Sequence, residues 1–150
     1  MRRMEPLSLD ILSEGERALV SAVRIWFRSG TAKAMVPIRL SLAAARIPPE
    51  ALLPLFALLG VFAADADSGR RLQVERPGAA ALGADEQHLL EALGAFQHGE
   101  DAAGMDMLDR WLPLVALCMA SAAARDLGRV LTEAGVFLPC RSIAYPVAAE

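Results

Sequence analysis

Apolar positions along the chain recur mostly at helical spacing. Ser13-Glu14-Gly15-Glu16 has the spacing of a capping box, a serine N-cap with a glutamate three residues on. The helix it opens is expected to run to about Ser29 and to stop at Gly30, with Leu19, Val20, Val23, Trp26 and Phe27 on its buried face. Residues 31–36 give no clear signal. Pro37 suits a first helical position, so a second helix is expected over 37–46, ended by Pro48-Pro49. The third, over about 49–62, has Leu52, Leu53, Leu55, Phe56, Leu58 and Leu59 all around its axis. A helix apolar on every side is either central in a core or covered by a second subunit.

The chain then changes period. Residues 61–64 and 71–75 flank the turn-rich Asp65-Ala66-Asp67-Ser68-Gly69, which reads as a short β-hairpin. Arg76-Pro77-Gly78 breaks regular structure. A fourth helix opens at Asp85-Glu86 and ends near His98-Gly99; a fifth covers about 101–112. Pro113 leads into a sixth over about 114–134, stopped by Gly135. Residues 136–150, with Pro139 and Pro146, read as an extended tail. The expected fold is mainly α: a single-domain bundle of five or six helices over 1–150, with one short β-hairpin near residues 61–75. Its N-terminal part covers about 8–76 and its C-terminal helical part about 84–135.

At 150 residues with 55% apolar and 22% charged side chains, the chain can bury a core without disulfides or metal, and disorder is excluded. Mean hydropathy is +0.36, which raises a membrane reading. The two longest uncharged runs are about 14 residues each, short of a spanning helix. No apolar stretch follows the N-terminal arginines, so no secretory signal is read and a cytoplasmic protein is expected. Cys118 and Cys140 are the only cysteines and form no CxxC pair, which fits reduced thiols.

The order of three helices followed by a two-stranded ribbon resembles a winged-helix DNA-binding domain. Residues 1–46 carry eight basic and four acidic side chains. Under that reading Arg17, Arg24 and Arg28 on the first helix, with Arg70 and Arg71 on the wing, would meet nucleic acid. The third helix opposes it: only Glu50 is polar there, and nothing on it donates to a base edge. The plainer reading of the arginine row is a solvated face. Residues 81–150, with ten acids and four arginines, supply an acidic counterpart within the chain or across a dimer.

On the last helix Ala116, Ala120, Ala124 and Gly128 fall at i+4 intervals, and such a row lets another backbone approach closely. It suits close packing inside the bundle or a self-association face. His88 and His98 do not share a helix face and no cysteine lies near them in sequence, so no metal site is expected. Cys118 reads as a small buried apolar residue. The sequence has no Gly-rich phosphate loop, no HExxH and no GxSxG, and Asp106 and Asp109 are an ordinary helical pair of carboxylates.

The layout over residues 13–98 resembles small Ala- and Arg-rich helical proteins of unknown function from alphaproteobacteria. It rests on Trp26-Phe27-Arg28-Ser29-Gly30, the Pro-started apolar helix, the polar hairpin and the opening Ala84-Asp85-Glu86. That resemblance implies no function and no site. The expectation is a non-enzymatic helical interaction or regulatory module without cofactor, forming a homodimer with no membrane partner. A DNA-binding regulator and a sensor of a small apolar ligand are the alternatives.

Overall fold

The computed structural model describes residues 7–64 and 71–139. It is mainly helical, with one short two-stranded antiparallel sheet. Among the described residues the elements are β1 (Leu7–Ser8), α1 (Glu14–Ala44), α2 (Leu52–Ala64), β2 (Ala81–Leu82), α3 (Ala84–Gln97), α4 (Asp101–Leu108) and α5 (Leu114–Glu133). Single 3-10 turns precede α1 and α2. No described helix is long and apolar enough to cross a membrane.

The capping box forms as its spacing requires. The Ser13 side chain accepts the Glu16 N–H at 3.2 Å, and the Glu16 carboxylate accepts the Ser13 N–H at 3.0 Å. Gly30 does break the helix, with φ 81° and ψ 170°, a conformation open only to glycine. The chain re-enters helical geometry at once, however, so the expected second helix starts well before Pro37. Pro37 lies inside α1 on its exposed side, where a missing intrahelical bond costs least. Past Ala44 a Schellman turn closes the helix: the Arg46 N–H reaches the Ala43 carbonyl and the Ile47 N–H reaches that of Leu42, both at 2.9 Å.

The sheet is not where the period suggested. Residues 61–64 continue α2, and Val61 and Phe62 stay buried on its inner face. Phe62 packs edge-on against Trp111, with ring centroids 5.7 Å apart. Helical burial against that ring outweighs β propensity here. Residues 71–76 form no regular element and join no ladder, and the turn at 65–69 lies outside the described residues. The ladder instead pairs Leu7 with Leu82 and Ser8 with Ala81, joining the two ends of the N-terminal half.

α5 lies against α2, α3 and α4, and α1 covers α2 and α3 from the other side. Leu19, Ile38, Leu42, Leu55, Leu58, Leu59, Leu108, Trp111, Leu127 and Leu131 are fully buried between them. The α2 helix is thus central in the core along Leu55, Leu58 and Leu59, while Leu53 at its start stays exposed. α4 ends four residues earlier than expected, and Trp111 and Leu112 enter the core from the turn that follows.

Candidate functional site

Two polar clusters fix the frame that presents the surfaces. The first is Arg24 with Glu86. Arg24 Nε and one terminal nitrogen each donate to a different Glu86 carboxylate oxygen at 2.7 Å. The remaining bonds of the guanidinium run to the Ala79 and Ala81 carbonyls, both at 2.8 Å. Glu86 in turn accepts the Gly83 N–H at 2.9 Å and the Glu75 N–H at 3.0 Å. Arg24 is therefore neither on a solvated face nor available to DNA: only 2% of its side chain is exposed, as for Glu86. Burial alone would push the Glu86 carboxyl up, but the Arg24 hydrogen bonds, the two backbone N–H groups and the guanidinium charge hold it below its ordinary value.

The second cluster straps the segment after α5 onto α3. Gln97 accepts the Leu138 N–H and donates to the Val136 carbonyl, both at 2.7 Å. His98 Nε2 donates to the Leu138 carbonyl at 2.7 Å, and Leu138 is buried. Glycines make room for the strap: a Cβ on Gly94 would stand 2.7 Å from the Pro139 carbonyl oxygen, and one on Gly15 would stand 2.7 Å from Val136. The sequence signal missed was the pair Gln97-His98 at the end of a helix, facing a Pro-containing extended segment.

Among the other arginines named from sequence, Arg17 is exposed and donates to the Leu12 carbonyl at 3.0 Å. Arg28 and Arg71 are exposed, and Arg70 lies outside the described residues. No two-stranded wing gathers them, since its first strand is the end of α2.

The row Ala116, Ala120, Ala124 and Gly128 is buried within the chain. A Cβ on Gly128 would lie 3.0 Å from the Gln97 Cα, so the row serves the close packing of α5 on α3 and is not an open face. The outer side of α5 is open instead. Leu114 and Val115 are 73% and 72% exposed, and Met119 is 58% exposed. Cys118, expected in the core, is exposed beside them. The helix was placed correctly from sequence, but its apolar residues cover two faces and the row of small residues took the inner one. Farther along, the outer face carries Arg125, Asp126, Arg129 and Glu133. Arg129 approaches Asp126 at 4.0 Å and Glu133 at 3.5 Å, and Arg125 approaches Asp101 at 3.7 Å.

His88 Nδ1 accepts from Arg110 at 2.7 Å, and Arg110 lies over the Trp111 ring. Among the described residues no group of His, Cys, Asp and Glu could hold a metal ion. Cys140 lies outside them. The void between Leu19, Val23, Leu55, Leu58, Leu89 and Leu93 measures about 10 Å³, against roughly 300–1,000 Å³ for ligand pockets. That void offers an apolar ligand no room.

No family model, no curated protein and no solved structure matches the chain.

Proposed function

We propose that the chain is a non-enzymatic, cytoplasmic helical interaction module that self-associates through the outer face of α5. The observation that carries this reading is the exposed stripe Val115, Cys118 and Met119, with Leu114 at its edge, on a helix whose other side is already buried. Scattered apolar side chains are normal on a surface, but a helical stripe of them is a contact surface without its partner.

A second copy can cover this short stripe because a two-fold axis sets the same patch against itself. An antiparallel crossing of two α5 helices at Cys118 would set stripe against stripe, with Arg125, Asp126, Arg129 and Glu133 beyond the contact.

Native mass spectrometry at micromolar concentration tests the reading. A dimer is expected, and Met119→Glu should convert it to a folded monomer. In a Cys140→Ser background, mild oxidation should trap the dimer through Cys118. A wild-type protein that stays monomeric would sink the proposal.

A further inference from the structure

The half of α1 beyond Gly30 carries a second surface, different from α5 in charge. Its inner side places Ala34, Ile38 and Leu42 in the core, one residue per turn. Its outer side exposes Ala32, Val36, Leu40 and Ala43, and Leu40 is 63% exposed. At about 100° per residue, Lys33 falls on one border of that apolar strip and Arg39 on the other. Arg28 and Arg46 stand exposed near its two ends. Exposed Phe137 shares with Ala44 and Arg46 the lining of a depression of about 460 Å³ at the end of the helix.

Between Glu16 and Glu50 the chain has six basic and no acidic side chains. Arg24 is held by Glu86, but among the described residues no carboxylate pairs with Arg28, Lys33, Arg39 or Arg46. Arg46 also holds φ 66°, the left-handed turn position that glycine ordinarily fills. A cation is thus kept at the end of the strip in a backbone conformation that does not favour it.

An apolar strip bordered by cations is the layout of a helix lying in a bilayer interface. The strip enters the acyl boundary, and lysine and arginine reach back to the phosphates. We infer that this face docks in plane on an anionic phospholipid surface. A two-fold pairing of the same face would bring positive borders against positive borders, so a second copy fits poorly. Reading the bases of duplex nucleic acid would require donors at the centre of the face, where Val36 and Leu40 stand; phosphate contacts alone would leave that apolar centre uncovered. The expected absence of a membrane partner rested on the lack of a spanning segment, which does not bear on a peripheral contact. The inference is independent of self-association through α5.

Co-sedimentation with phosphatidylcholine vesicles, with and without phosphatidylserine, tests it. Binding is expected only to the vesicles with phosphatidylserine and should weaken as salt rises. Lys33→Gln and Arg39→Gln should each weaken it about fivefold. Leu40→Ser should weaken it while the helical circular dichroism stays unchanged, since the side chain is exposed. Arg46→Gly should weaken it while raising the melting temperature, which separates lost charge from lost fold. Equal sedimentation with both kinds of vesicle, or unchanged binding by the Lys33, Arg39 and Leu40 variants, would overturn the inference. So would a preference for mixed-sequence duplex DNA at the same salt.

Discussion

Arg24 on α1 and Glu86 on α3 lie sixty-two residues apart in sequence and meet through two 2.7 Å bonds in the protein interior. Every other bond described for them reaches backbone in the segment 75–83, so the pair ties α1, α3 and the β2 strand into one body.

Breaking that pair from one side should cost far more than losing a surface bridge. Arg24→Ala leaves the Glu86 carboxylate buried without its cation and strands the Ala79 and Ala81 carbonyls. The expected loss is about 3–5 kcal/mol in urea denaturation. Arg129→Ala removes only exposed partners and should change stability by less than about 1 kcal/mol. Equal effects from the two variants would show that the buried pair does not hold the frame.

The same pair sets a pH dependence. The Glu86 carboxyl is held below its usual value of 4.5. A depressed carboxyl contributes stability that is fully present above the unfolded value and is lost as pH falls through the folded one. The wild-type protein should therefore lose stability as pH drops below 4.5, and Glu86→Gln should lack that part of the loss. Glu86→Gln should also be less stable at neutral pH, because a neutral amide cannot replace the charge opposite Arg24. Parallel stability curves for the two proteins across this range would contradict the assignment.

What the sequence disclosed depended on how local each determinant is. The Ser13 cap, the Gly135 stop and the start of α5 after Pro113 are written within a few residues, and all appear as expected. The strand pair joins residues 7–8 to 81–82, and no local pattern specifies a partner so far away. Arg24 shows the same limit. Its spacing from Arg17 and Arg28 put it on a shared face, yet only the distant Glu86 decides that it is buried. On α5 the row of small residues left two readings, and the structure favours the packed one. Small residues and large apolar ones both follow helical spacing, and only the packing of α3 reveals which side is covered.

The strap at 136–139 should open before the bundle does. Gln97→Ala removes the two bonds that hold the Val136 carbonyl and the Leu138 N–H, a loss of about 1–3 kcal/mol. Gly94→Ala keeps those groups but drives a methyl to 2.7 Å from the Pro139 carbonyl, so it should release the same segment by steric means. Hydrogen exchange at the Leu138 amide reads both variants. Faster exchange there, with the α5 amides still protected, is the expected outcome. Simultaneous loss of protection in α5 would mean that the strap and bundle open as one unit.

Gly30 tests the kink that turns the outer half of α1. Its φ of 81° and ψ of 170° are strained for any residue with a Cβ, although the space around such a Cβ is empty within 4 Å. Any cost of Gly30→Ala must then come from the backbone, at about 1–3 kcal/mol. The chain can relieve it by continuing as one straight helix, since alanine favours that geometry. A straight α1 would lift Ile38 and Leu42 off the core, both nearly fully buried in the wild type. The variant should therefore melt lower while keeping or gaining helical circular dichroism, and its amides around residues 38–42 should exchange faster. A melting temperature equal to wild type would show that the kink is not needed to seat the outer half of α1.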